Sequence, residues 1–134
     1  MSAYNYLKGL PVTITTHNFG SLDSISVVLY CGGSKRLSVP QARFLLHGVS
    51  IGFRQNISLE EKLKGLKIDT ENIAKVISEN TNKSIEEITT ALLERTTLNP
   101  ETAKTWGLVH EIKSNLFEAG SEVISIYPQQ LKNP

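Results

Sequence analysis

Residues 20–47 read GSLDSISVVLYCGGSKRLSVPQARFLLH, and this stretch decides the fold. In front of it, the β-branched residues of 12–16 predict a strand. Within it, the apolar run that starts at residue 24 predicts a helix, which Gly32 and Gly33 end. Apolar side chains occupy nearly every side of this helix, so the pattern predicts that the helix is buried. A buried helix between strands indicates a layered α/β fold.

Ser24 falls at the predicted junction between strand and helix, where backbone N–H groups have no partner within the helix. Such a serine can act as a nucleophile whose developing oxyanion is met by backbone donors. Serine is also a common N-cap, and its spacing alone favours the cap. His47 closes the stretch, at the end of a short apolar strand that follows Pro40.

The order of these residues along the chain is more specific than any one of them. The ordered positions are Gly20, Ser24, Lys35, Arg36, Pro40, Arg43 and His47, followed by Gly52-Phe53, 80–82, 85–88, 100–103 and 106–109. This set resembles the proteolytic subunit of the Clp protease family over about residues 4–112.

The resemblance implies an α/β fold of the crotonase-like type, a layered β-β-α superhelix with a protruding handle helix. It implies one N-terminally incomplete domain over 1–127 and a flexible tail over 128–134. It also implies a serine endopeptidase, in which Ser24 is the nucleophile and His47 the general base. The backbone N–H of Ile25 is then the oxyanion donor, because the family uses the residue after its nucleophile.

Two departures from the family pattern predict that this chain alone is weakly active or inactive. The acid that orients the histidine is expected at Arg95, or at Thr96 if one residue is gapped, and neither is an acid. The family's Gly-Gly oxyanion loop precedes the nucleophile, whereas Gly32 and Gly33 follow Ser24. A non-catalytic structural or regulatory ring subunit is therefore the alternative. An acyl-CoA-handling relative is a third interpretation, which the serine and histidine disfavour.

The long helix predicted over 58–81 is the segment that corresponds to the handle. Its N-terminus has a capping box over 58–61, and its apolar residues form one stripe. Ile68 and Val76 fall off that stripe, which predicts a contact between subunits. Two shorter helices are predicted from the capping box over 84–87 and from Asn99 with a proline after it. A short strand is predicted over 108–109.

Composition excludes several other classes of protein. The 134 residues are 40% apolar with a net charge of +1, so nothing indicates nucleic-acid binding. No apolar run approaches the length of a membrane span, and the single cysteine, Cys31, suits the cytoplasm. His17, His47 and His110 lack the spacing of metal ligands, and no nucleotide-binding loop is present, so no metal and no cofactor is expected. The expected partners are a peptide or unfolded protein substrate, further copies in a stacked ring, and an ATP-dependent unfoldase.

Overall fold

Successive turns of the chain contribute strands to two small β-sheets, and helices cover these sheets. The computed structural model describes residues 1–48 and 59–125. Its helices are α1 (Ser2–Gly9), α2 (Ser24–Tyr30), α3 (Leu59–Glu79), α4 (Ile85–Leu93) and α5 (Pro100–Thr105). Its strands are β1 (Thr15–Asn18), β2 (Ser21–Asp23), β3 (Lys35–Ser38), β4 (Arg43–Leu45), β5 (Thr97–Leu98) and β6 (Glu111–Ile112).

The first four strands alternate between the two sheets. Sheet A has the order β1-β3-β6 and is parallel, with Thr15 opposite Lys35. Sheet B has the order β2-β4-β5, in which Leu22 lies opposite Phe44 in a parallel pair and β4 runs antiparallel to β5. A strand of sheet A is thus followed by a strand of sheet B and then by a helix. The first such unit is β1, β2 and α2, and the second is β3, β4 and α3. This succession confirms the expected layered β-β-α fold.

Asn18 joins the two sheets at the point where the chain passes from one to the other. Its side-chain amide donates to the Arg43 carbonyl at 2.9 Å, and its carbonyl oxygen accepts the Gly20 N–H at 2.9 Å. The residue is buried, so an unpaired amide there would carry a desolvation cost. This side chain therefore holds the end of β1 against the start of β4.

The hydrophobic core lies where α2, sheet B, α3 and α4 meet. Phe44 and Leu46 follow one another along β4 and its extension, and both are fully buried. The Tyr30 ring of α2 lies 5.2 Å from the Phe44 ring, while Ile77 of α3 and Ile88 of α4 close the other side. Each such side chain contributes about 1.5–3 kcal/mol on burial.

Local capping explains where two of the helices begin. The Ser84 hydroxyl accepts the Glu87 N–H at 3.1 Å, and the Glu87 carboxylate accepts the Ser84 N–H at 2.8 Å. At α5, the Asn99 side chain accepts the Thr102 N–H at 2.8 Å, and a proline occupies the first turn. Both predicted starts are confirmed.

The N-terminal part of helix α3 projects from the body. No residue of 59–72 is buried, whereas Ile73, Ala74 and Ile77 are buried against the core. The observed helix agrees with the predicted 58–81, although residue 58 and the predicted tail 128–134 lie outside the described residues. Within the described ranges, no helix is both long and apolar enough to cross a membrane.

The predicted exposure of helix residues is partly wrong. Val76 was expected at a partner surface, yet it is only 7% exposed, because α3 turns that side towards the core. Ile68 is 49% exposed, as predicted for a contact surface. Helix α2 was expected to be buried on all sides, but Ile25 is 56% exposed and Leu29 43% exposed, because none of the described elements covers that side of the helix.

The strand predictions also need correction. The strand predicted over 12–16 begins later, as β1, and it includes His17. Its ring stacks on the Phe19 ring, with centroids 4.2 Å apart. The strand predicted over 108–109 is replaced by β6, and β2 and β5 were not predicted. These strands contain only two or three residues, too few for a period-two pattern.

Arg36 is a buried cation that is bound by main-chain carbonyls. Its guanidinium donates to the carbonyls of Leu108 at 2.7 Å, Asn80 at 2.9 Å and Gly107 at 3.0 Å. Its own N–H donates to His110 Nδ1 at 2.9 Å, and its carbonyl accepts the His110 N–H at 2.8 Å. One side chain thereby ties β3 to the end of α3 and to the segment that follows α5.

Candidate active site

Ser24 lies where β2 passes directly into α2. The strand ends at Asp23 and the helix begins at Ser24, so the predicted junction is confirmed. Asp23 occupies the N-cap position, and its side chain makes no capping hydrogen bond. The Ser24 hydroxyl is not the helix cap either, because it points to His47. The capping role that its spacing favoured is therefore wrong.

Ser24 and His47 meet because β2 and β4 are parallel neighbours, with Asp23 opposite Leu45. The residues that follow these two strands emerge on the same side of sheet B. The His47 N–H donates to the Ser24 hydroxyl oxygen at 2.9 Å, and the hydroxyl donates to the His47 carbonyl. Ser24 is only 6% exposed, so these main-chain contacts hold a nearly buried hydroxyl.

The His47 ring makes its contact elsewhere in this arrangement. Its Nδ1 lies 2.9 Å from the Gly48 carbonyl oxygen. A carbonyl only accepts hydrogen bonds, so this contact places the ring proton on Nδ1 and leaves Nε2 as the proton acceptor. Nε2 is the nitrogen that serves as base in serine triads. In the part of the chain that the structure describes, the Ser24 hydroxyl makes no hydrogen bond to the His47 ring.

A cavity of about 480 Å³ opens beside Ser24 and His47, which both line it. This volume suits a ligand pocket, since these range over about 300–1,000 Å³. The other described lining residues are Met1, Asp23, Ile25, Ser26, Gly48, Asp69, Asn72 and Ile73.

The contribution of α3 to this cavity was not predicted. Asp69, Asn72 and Ile73 follow the spacing i, i+3, i+4, so they share one face of the helix. The spacing itself is visible in the sequence. Which face meets the junction at Ser24 depends on how α3 packs, and no local pattern indicates that.

Arg95 and Thr96, the two positions at which the orienting acid was expected, lie between α4 and β5. Leu45 is opposite Thr97 in the antiparallel pair of β4 and β5, and the Leu46 N–H donates to the Thr96 carbonyl at 2.9 Å. Arg95 comes just before this pairing, and its N–H donates to the Leu92 carbonyl at 3.3 Å, at the end of α4. Arg95 also has φ 54°, a left-handed conformation that Asn and Asp adopt more readily.

Other reactive groups in the described ranges lie apart from this site. Cys31 is fully buried, and burial raises the pKa of its thiol to about 12, so the thiolate needed for nucleophilic attack is not available near neutral pH. Tyr30 donates its hydroxyl to the Leu37 carbonyl at 2.7 Å, and burial raises its pKa. Within the described ranges, no three His, Cys, Asp or Glu side chains are grouped so that they could hold a metal ion.

Similar proteins were found by sequence. A family model described as Clp protease matches residues 1–115. The ATP-dependent Clp protease proteolytic subunit 2 of Corynebacterium efficiens is 30% identical over 118 residues, which are 84% of this chain and 58% of that protein. The proteolytic subunit 2 of Corynebacterium diphtheriae is 31% identical over 121 residues, 85% of this chain and 59% of that protein.

A solved structure agrees with the sequence matches. A mutant of ClpP1 from Listeria monocytogenes superposes with a TM-score of 0.76 at 25% identity, covering 86% of this chain and 65% of that chain. The chain thus spans less than two thirds of the length of each of these relatives. Because the family model covers 115 of the 134 residues, this chain belongs to the Clp protease family.

Proposed function

We propose that the chain is a serine-type endopeptidase subunit in which Ser24 is the nucleophile and His47 the general base. The observation that carries this proposal is the meeting of the two residues at the ends of neighbouring parallel strands, on the wall of one cavity. A buried hydroxyl beside a histidine with a free Nε2 supplies the first two parts of a serine hydrolase site.

The reaction follows from these positions. The Ser24 hydroxyl turns from the His47 carbonyl to Nε2 of the ring, and the oxygen attacks the carbonyl carbon of the peptide while its proton passes to Nε2. The backbone N–H of Ile25 donates to the oxyanion that forms. His47 then protonates the leaving amine, and a water molecule, activated by the same nitrogen, releases the acyl group from Ser24.

Weak activity is the expected level for this chain alone. The Gly48 carbonyl orients the ring but carries no charge to stabilise the imidazolium, and loss of the triad acid costs up to about 10⁴-fold in rate. Within the 134 residues, no Gly-Gly pair precedes Ser24, and loss of one oxyanion donor costs about 10²–10³-fold. Members of one site act as a unit, so the combined cost is smaller than the product.

Partners follow from the same family membership. The proteins of Corynebacterium are named as proteolytic subunits of an ATP-dependent protease. For this chain we infer a peptide or unfolded protein substrate, assembly with further copies in stacked rings, and an ATP-dependent unfoldase as partner, in the cytoplasm. The exposed Leu59, Leu63 and Ile68 on the projecting part of α3 support a contact between copies.

A non-catalytic ring subunit is the second candidate. The observation that favours it is that Arg95 and Thr96, the two positions at which the orienting acid was expected, carry a cation and a hydroxyl. In that case Ser24 would remain a buried, hydrogen-bonded side chain at a helix start, and the subunit would contribute only contacts.

Labelling with a fluorophosphonate separates the two candidates, because the probe reacts with activated serines. The wild type is compared with Ser24→Ala and with Ser26→Ala, a matched control since Ser26 lines the same cavity. Slow labelling that maps to Ser24, is lost in Ser24→Ala and persists in Ser26→Ala is expected. Absence of labelling in all three proteins under native conditions would support the non-catalytic subunit.

A further inference from the structure

We propose that the cavity beside Ser24 is selective for a basic side chain, lysine or arginine, of the bound peptide. This inference rests on the proposed function, because it names the substrate class of the same site. The inference rests on the two carboxylates of the cavity, on their lack of described partners and on the apolar wall beside them.

The negative side-chain charge of the cavity comes from two sides. Asp23 lies at the β2–α2 junction, next to the nucleophile, and Asp69 lies on α3. Apart from His47, they are the charged or titratable side chains among the described lining residues, and no lysine or arginine is among them. A cationic group placed between these two elements would meet a carboxylate from each.

Both carboxylates are free to receive such a group. Among the described residues, the carboxylates of Asp23 and Asp69 have no hydrogen-bond or ion-pair partner. Asp23 could have capped α2, as its position allows, but its side chain does not do so. Two carboxylates on one cavity wall are therefore available to a ligand.

The rest of the wall suits the stem of a long side chain. Ile73 is buried at the base of α3, Ile25 is exposed on α2, and Met1 lies beside them on the wall. Lysine and arginine pack their methylene groups on apolar surface while the charged end stays near water. Both aspartates are exposed, so the charged end can remain partly hydrated where it meets them.

Other side chains fit this wall less well. A methionine of similar length would fill the apolar part but leave both carboxylates without a partner. A glutamate would place a third negative charge beside two, which is unfavourable at this range. The expected order of affinity is therefore lysine, then methionine, then glutamate.

The test measures binding without turnover. Acetylated tripeptide amides that differ only in their central residue, lysine, methionine or glutamate, are titrated into the Ser24→Ala variant and into the wild type, with amide chemical shifts as the readout. The lysine peptide should bind about fivefold more tightly than the methionine peptide, as expected for two partly exposed ion pairs. The preference should shrink as salt is raised.

Variants assign the effect to the two carboxylates. The double variant Asp23→Asn, Asp69→Asn should bind the lysine and methionine peptides equally. The matched control is Glu71→Gln, which removes an exposed carboxylate from α3 outside the cavity and should leave the preference unchanged.

Three results would overturn the proposal. They are equal binding of the lysine and methionine peptides, a lysine preference that survives the double variant, and no binding of any peptide. None of them depends on the reactivity of Ser24, so failure here is distinct from failure of the fluorophosphonate test.

Discussion

Replacing Arg95 with aspartate tests whether the site lacks only its acid at this position. In the wild type, His47 Nδ1 donates to a neutral carbonyl. A hydrogen bond to a charged partner contributes about 1.5–3 kcal/mol, against about 0.5–1.5 kcal/mol for a neutral pair. The difference of about 1–1.5 kcal/mol corresponds to roughly tenfold in rate. The full effect of a triad acid, about 10⁴-fold, is not expected, because the Gly48 carbonyl already orients the ring and only the difference between the two hydrogen bonds is gained.

The same substitution should not destabilise the fold. Arg95 has φ 54°, and the left-handed region costs a residue other than glycine roughly 1–2 kcal/mol. Aspartate adopts this conformation more readily than arginine. The melting temperature of Arg95→Asp should therefore stay constant or rise by about 1–3 °C.

The assay is the rate of fluorophosphonate labelling at Ser24, measured with thermal unfolding of the same samples. Arg95→Gly is the matched control, because glycine relieves the backbone without adding an acid. Thr96→Asp places the acid one residue away, at the other candidate position, and should help little. A larger gain from Thr96→Asp, or an equal gain from Arg95→Gly, would refute the choice of Arg95 as the position of the acid.

Three further predictions concern stability and assembly. Burial and the nearby Arg36 charge lower the pKa of His110. The stability that its neutral form contributes is therefore fully present above the usual histidine pKa and is lost as pH falls below about 6.5. His110→Asn keeps an acceptor for the Arg36 N–H, so this variant should lose less stability than the wild type in urea titrations between about pH 7.5 and pH 5.5. Arg36→Lys should lower the free energy of unfolding by about 2–4 kcal/mol, because one ammonium cannot reach the four main-chain carbonyls that the guanidinium binds. Leu63→Asp with Ile68→Asp should shift sedimentation towards smaller species, since both side chains are exposed on α3.

Each of these predictions has a control and a contradicting result. For Arg36, the control is the exposed Arg43→Lys, and equal losses in both variants would contradict the role of the buried guanidinium. For His110, the same loss of stability with falling pH in the variant and in the wild type would contradict the prediction. For α3, the control is Lys64→Glu on an exposed position, and a wild type that sediments as a monomer at high concentration would remove the basis of the prediction.

Signals that act between near neighbours in the chain were predictable from sequence. The capping box at Ser84 and the asparagine cap at Asn99 need only residues three positions away, and both are present as expected. The junction at Ser24 was predictable for the same reason. That Ser24 and His47 belong together came from the resemblance to a family, since no local pattern links residues 23 positions apart.

What depended on packing could not be predicted in this way. Val76 lies off the apolar stripe of α3, but α3 packs against both α2 and α4, and the wider contact buries it. Ile25 was expected to be buried because its neighbours in α2 are apolar, yet no described element covers that side of the helix. The position of Asp69 on the cavity wall could be predicted only by knowing which face of α3 turns towards the junction at Ser24.

The alternation of strands between the sheets has a consequence for how the site opens. Ser24 follows β2 and His47 follows β4, so the two residues belong to successive turns of the chain. Among the described strands, β1 and β2 lie at sheet edges while β3 and β4 lie between two neighbours, so in this part of the chain the turn that carries Ser24 lies outside the turn that carries His47. Stacked units of this kind open from their ends at a lower free energy than the whole molecule unfolds. Amide hydrogen exchange over 15–23 should therefore report the fraction of molecules in which serine and histidine are in contact, independently of global unfolding.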